Sequence, residues 1–127
     1  MHKLIIGALA AAVATTALGA PVGVRVTGAS QADGELLKDI LQNVTMFGDA
    51  FNCPAPSVVE MSIIPASRIP ASADYRASSE HAAYEEWDAN FCGKTEPFFI
   101  SFWPDPKGGS FINVIYPYPD AAPRGKH

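Results

Sequence analysis

Past its first twenty residues, this 127-residue chain has no apolar run long enough to cross a bilayer. A spanning helix needs about 20 mostly apolar residues. The chain also lacks an excess of positive charge: Lys and Arg total 9 against 13 Asp and Glu, for a net charge of -4. Its basic residues are scattered from Arg25 to Lys126 and form no stripe. This argues against electrostatic capture of nucleic acid or of anionic lipid. Histidine is scarce. Of 3 in the chain, only His81 lies between the N-terminal segment and the last residue. Cysteine is scarcer still, with 2. Two cysteines with no histidine beside them do not make a structural zinc site, which needs four ligands at short paired spacings. There is no Gly-x-Ser-x-Gly elbow, no phosphate loop and no dinucleotide fingerprint. No cofactor and no metal is expected.

What is present begins with residues 1–20, MHKLIIGALAAAVATTALGA. Lys3 precedes an apolar run, and small residues close it at Ala17 and Gly19. That order is expected of a secretory signal peptide, 1–19, cleaved after Gly19. A membrane anchor is the alternative, but the run is short and Thr15 and Thr16 interrupt it. After cleavage about 107 residues remain, enough for one small domain. It is expected to span 20–116, with a flexible Pro-rich tail at 117–127. The expected address is periplasmic or secreted, with no membrane span after cleavage. An exported chain meets an oxidising compartment, so Cys53 and Cys92 are expected to pair. They would close a loop of about 40 residues, worth roughly 4 kcal/mol in the chain-entropy account.

Periodicity sets the elements. Val22, Val24 and Val26 alternate with Gly23 and Arg25, the pattern of a half-buried strand. Leu36, Leu37, Ile40, Leu41, Val44 and Phe47 form one helical stripe, with Ser30 or Asp33 to cap its start and Gly48 to stop it. Residues 57–64 read as a strand. Residues 65–79 form the longest irregular segment, and its Arg68, Tyr75 and Arg76 are candidates for display. Residues 81–92 fit either a helix or a strand. The strand reading, 84–92, is preferred because Gly93-Lys94 reads as a hairpin turn into a clear strand. There Phe98, Ile100 and Phe102 alternate with Phe99, Ser101 and Trp103. Residues 104–109 make a Pro/Gly turn, and 111–116 return as the last strand. The sum is an α+β fold, one amphipathic helix on a four- to five-stranded antiparallel sheet.

The order β-α-β-β-β-β is similar to that of cystatin-like domains. The cystatin Gln-Val-Val-Ala-Gly turn is absent, so protease inhibition is not implied. Glu86-Trp87, Cys92-Gly93-Lys94 and Gly108-Gly109 before a last strand resemble a pattern in small exported bacterial proteins of unknown function. That resemblance implies an exported bacterial setting and no activity.

Two kinds of site can be weighed. His81 has Asp74, Glu80 and Glu85 nearby, which would suit a small hydrolytic enzyme, but no nucleophile accompanies them. Glu85 and Glu86 fall on opposite faces of a strand, so they form no dyad; they are expected as a charged edge. The aromatics weigh more. With one face under the helix, Phe99, Trp103, Trp87 and Tyr116 are candidates for an exposed patch. The leading expectation is therefore a soluble exported binding domain of the bacterial envelope, contacting a protein or envelope ligand. A structural subunit of an envelope assembly is a further alternative.

Overall fold

The computed structural model describes residues 23–125. The expected signal peptide, 1–19, lies outside the described residues. The described chain is α+β: one helix against a five-stranded sheet in the order β1-β2-β3-β4-β5. The strands are β1 (Arg25–Gly28), β2 (Val58–Ile64), β3 (Ala83–Phe91), β4 (Lys94–Pro104) and β5 (Ser110–Ile115). The ambiguous segment 81–92 thus resolves as a strand over Ala83–Phe91.

Helix α1, Gly34–Thr45, starts where Asp33 accepts a hydrogen bond from the Leu36 N–H at 3.1 Å. This satisfies one of the free donors of the first turn. Its stripe of Leu36, Ile40, Leu41 and Val44 is buried. The helix ends earlier than its apolar stripe suggests. Met46–Phe51 tightens into a 3-10 turn, closed by Asn52 in the left-handed region at φ 54°. The turn swings Phe47 and Phe51 onto Phe91, Phe98 and Tyr116, with ring centroids 4.8–5.8 Å apart.

The sheet departs from expectation at one edge. It is mixed, because β1 runs parallel to β2, with Val26 beside Val59 and Gly28 beside Met61. The other three pairings are antiparallel. The reason is the connection: a strand reaching its parallel neighbour needs a crossover, and α1 supplies it. The cystatin-like order is not confirmed. Gly28 ends β1 at φ +93°, and a Cβ there would strike the Met61 backbone. Glycine is therefore required by both conformation and space.

Side chains alternate cleanly between two faces. Val26, Val59, Met61, Trp87, Ala89, Phe98, Ile100 and Phe102 turn toward α1 and form the main core. Ile64, Tyr84 and Phe99 turn the other way, into a second cluster with Ile69, Tyr75 and Ala122. The β3–β4 turn is Cys92-Gly93, one residue before the expected Gly93-Lys94. Both residues have positive φ, 53° and 94°, as a two-residue hairpin demands. Phe91 pairs with Lys94 to close it, and the Gly93 N–H donates to Asn90 Oδ1 at 2.8 Å.

Cys53 and Cys92 form the expected disulfide, with Cα atoms 6.0 Å apart. It clips the segment after the 3-10 turn to the tip of the β3–β4 hairpin. Replacing both cysteines by serine should lower stability by about 2–5 kcal/mol. Urea denaturation of oxidised wild type and of the double variant measures this. A loss below about 1 kcal/mol would show that the closed loop gives little.

Candidate functional site

The face of the sheet away from α1 is where chemistry collects. Its middle is built on β3, whose Tyr84, Glu86 and Asp88 point to that side. Register puts Glu86 between Ser62 of β2 and Phe99 of β4, and puts Asp88 opposite Glu60 of β2. Two chain segments lie over this face. Residues 65–82 bring Ile69 and Tyr75, and residues 117–125 bring Tyr118, Ala122 and Arg124. Tyr75 meets Phe99 edge-on at 5.1 Å and donates its hydroxyl to the Ala121 carbonyl at 3.0 Å. Tyr118 also meets Phe99 edge-on, at 5.6 Å. Residues 117–125 are therefore laid down on the sheet instead of leaving it as an extended tail.

At the centre sits a charged cluster. Arg124 pairs with Glu86 and lies 4.7 Å over the Tyr118 ring. The Gly125 N–H donates to Glu86 Oε1 at 2.8 Å. The Glu86 side chain is wholly buried. Burial works to raise its pKa, but hydrogen bonds from Arg124, from Asp88 and from Gly125 outweigh it and hold the carboxyl at about 2. Asp88 moves the other way. Burial, its hydrogen bond with Glu86 and the charge of Glu86 push it up to about 7. One Asp88 oxygen, Oδ1, is buried with no hydrogen-bond partner. Two carboxyls whose environments drive their pKa values apart can share one proton. Arg124 and Gly125 close over Glu86, and Asp88 beside it is half-buried.

A second buried glutamate lies on the opposite face. Glu85 points toward α1 and accepts from the Ser30 hydroxyl at 2.7 Å, the Gln31 N–H at 2.6 Å and the Trp87 indole N–H at 2.8 Å. Burial raises its pKa, and these donors act against it. It ties the loop between β1 and α1 to the middle of the sheet. The expected charged edge at Glu85 and Glu86 is thus corrected. β3 is a central strand with both faces covered, so each glutamate is buried and each has its own partners.

The structure separates the other candidates. Trp87 is fully buried under α1, and Tyr116 lies in the aromatic cluster with Phe47, Phe51 and Phe98. The Tyr116 hydroxyl donates to Glu96 at 2.7 Å, which raises its pKa. Phe99 faces outward but is fully buried under Tyr75 and Tyr118. Of the four aromatics, Trp103 and Tyr116 keep part of their surface, and of these only Trp103 lies on the outer face. Its ring lies 5.8 Å from that of Phe111, which is 47% exposed. In the long loop Arg68 is exposed, Tyr75 is buried, and Arg76 is turned back to donate to the Ile69 carbonyl at 2.9 Å.

The His81 side chain is exposed, and its backbone N–H donates to Ser79 Oγ. Among the described residues nothing joins it to Asp74, Glu80 or Glu85. Also among them, no group of three or more His, Cys, Asp or Glu could hold a metal ion, and no helix is long and apolar enough to cross a membrane.

The pair Glu86 and Asp88 escaped the reading of the sequence, although the signal was there. Residues two apart on a strand share a face, and Glu86 and Asp88 are two apart. The exposed Trp103–Phe111 strip was half visible, since Trp103 was expected and Phe111 was not. No family model, no curated protein and no solved structure matches this chain.

Two expectations follow for stability. Phe99→Ala should cost about 3–5 kcal/mol as a core truncation, and Trp103→Ala about 1–2 kcal/mol. Equal losses in thermal melts would contradict the division of this face into covered and open parts. Glu85→Gln turns an amide N–H2 toward groups that all donate. It should cost about 1–3 kcal/mol in urea denaturation, and an unchanged midpoint would show that the three donors are satisfied without the carboxylate.

Proposed function

We propose that this chain is an exported interaction domain of the bacterial envelope that takes an extended segment of a partner protein along β5. The observation that carries this reading is the exposed Phe111 ring, set against Trp103 on a strand that pairs on one side only. Among the described residues, β5 bonds only to β4. Its sequence, SFINVI, holds no charge and no proline. Those are the residues that usually guard an edge against pairing. The phase of the ladder follows from the Asp105 N–H donating to the Gly109 carbonyl at 3.0 Å. It turns the Phe111 and Asn113 backbone groups toward β4 and those of Ile112 and Val114 outward. An added strand would gain main-chain hydrogen bonds there and rest a side chain on Phe111 and Trp103.

Export rests on the N-terminal segment, on the disulfide and on the resemblance to small exported bacterial proteins. The residues carrying that resemblance have structural work in this fold. Glu86 and Trp87 sit on the two faces of β3, Cys92-Gly93 makes a turn, and Gly108-Gly109 makes another at φ 110° and 78°. They support a shared scaffold, and the contact surface proposed here lies outside them.

The test uses the processed domain as bait in an envelope extract. Phe111→Lys and Asn113→Lys should each abolish specific capture while leaving the melting temperature within about 2–3 °C, since both side chains are exposed. His81→Ala should leave capture intact. Undiminished capture by both lysine variants would overturn the reading of β5. For export, the chain expressed with its own N-terminus should lose about 19 residues and leave the cytoplasm. Recovery of the uncut chain in the membrane would instead support an anchor.

A further inference from the structure

We propose, on the reading of β5 as a receptive edge, that this strand pairs with β5 of a second copy of the chain. The two strands run antiparallel and centre on Asn113, and they guard the edge until a partner segment displaces one of them.

The edge is open because of where the chain goes next. After β5, residues 117–125 turn back over the outer face. The Gly125 N–H reaches Glu86 of β3, and Ser62 of β2 lies against the same glycine. The segment therefore runs away from the edge. On the inner side α1 packs on β5, and Ile112 and Val114 stay half-buried there. Among the described residues, the main-chain groups of Ile112 and Val114 face outward with no strand to meet them. The strand also has defined ends. Gly108-Gly109 turns the chain into it, and Pro117, with no N–H, stops pairing.

Pairing about Asn113 matches the strand to itself. Ile112 falls opposite Val114 of the second copy, and Val114 opposite Ile112 of the second copy. Both turn their main-chain groups outward, so each pair exchanges both of its N–H···O bonds. On the outer face Phe111 falls opposite Ile115 of the second copy. Phe111 is 47% exposed in the single chain and gains an apolar neighbour there. At the axis Asn113 meets its own copy, and two amides can donate and accept in turn. Every matched position is neutral, since SFINVI carries no charge in a chain of net charge -4. Two-fold symmetry makes this necessary, because a charge at the axis would meet its own sign. A shift of two residues either way sets Asn113 against Phe111 or Ile115 and shortens the paired run.

A gap in the single chain lies beside the axis. Ser101 of β4 pairs with Asn113. Ser101 is wholly buried, and its Oγ has no hydrogen-bond partner. A buried hydroxyl of this kind calls for one. Asn113 is exposed, and among the described residues no side-chain hydrogen bond fixes its amide. The self-pair holds that amide in place, so one N–H can reach Asn113 of the second copy and the other Ser101 Oγ. Self-pairing and the partner segment use the same main-chain groups, so each excludes the other. An unguarded edge invites aggregation, and a second copy removes that hazard. A six-residue strand buries less than a permanent dimer needs, so a partner can still displace it.

Analytical ultracentrifugation of the processed, oxidised protein should show a mass that doubles between micromolar and millimolar concentration. Asn113→Lys should stay a folded monomer at both. Asn113→Cys tests the register. In such a pair position 113 stands about 4.5 Å from its own copy between Cα atoms, within reach of a disulfide. Position 111 stands about 14 Å from its own copy, beyond that reach. Under mild oxidation Asn113→Cys should crosslink at least about tenfold faster than Phe111→Cys. Mass spectrometry should map the bond to position 113, with the Cys53–Cys92 bond intact. A wild type that stays monomeric at millimolar concentration overturns the proposal. So does a dimer that survives Asn113→Lys, or equal crosslinking of the two cysteine variants. Any of these leaves the receptive edge standing if Phe111→Lys and Asn113→Lys still abolish capture. Undiminished capture by the lysine variants, beside a wild-type dimer of this register, overturns partner capture and leaves self-pairing in place.

Discussion

Two consecutive glutamates in a strand with both faces covered set the terms for this molecule. Glu85 and Glu86 occupy the centre of β3, and both are buried completely. A charge removed from water is tolerated only where hydrogen bonds and opposite charge replace the lost hydration. The two faces solve this differently. On the helix side, Glu85 receives a hydroxyl, a backbone N–H and an indole N–H. On the outer side, Glu86 receives a guanidinium and a backbone N–H from the C-terminal segment. The loop leading into α1 and the chain after β5 are both fixed to the sheet by carboxylates of one dipeptide. Breaking a pair of this kind leaves an uncompensated buried charge, so each glutamate commits a distant segment to its position.

Much of the scaffold is legible in the residues. The stripe of Leu36, Ile40, Leu41 and Val44 has the helical period, and its burial follows. The alternation through Phe98, Phe99 and Ile100 assigns each side chain to a face, and the β4 register bears this out. The disulfide follows from count and compartment. What escaped depends on contacts distant in sequence. The parallel pairing of β1 with β2 leaves no trace in a four-residue strand. Its direction is set by where α1 delivers the chain.

The covered outer face escaped for a different reason. Charged residues ordinarily mark solvent, so Glu85 and Glu86 read as a charged edge. The segment 117–125 is rich in proline and glycine, so it reads as a tail. Each reading is sound locally, and together they fail, because Arg124 exists to meet Glu86. Within the site, Phe99 and Trp103 looked equivalent, as same-face aromatics on one strand. The structure makes one a core residue and the other part of an open strip, and only the extent of the neighbouring strands separates them.

That difference has a simple geometric origin. β3 begins at Ala83, which pairs with Phe102 of β4. β4 continues to Pro104, so Trp103 and Pro104 have partners only on β5, Phe111 and Ser110. The β4–β5 hairpin overhangs the rest of the sheet. Phe99 stands over the part with neighbours on both sides, where the long loop and the C-terminal segment meet and close. Trp103 stands on the overhang, beyond the reach of Tyr75 and Tyr118, with Phe111 as its ring partner. The overhang carries the start of β5, a strand that among the described residues pairs with β4 alone. The unequal length of β3 and β4 thus accounts for the open aromatic pair, while the outward main-chain groups of Ile112 and Val114 follow from the place of β5 at the end of the strand order.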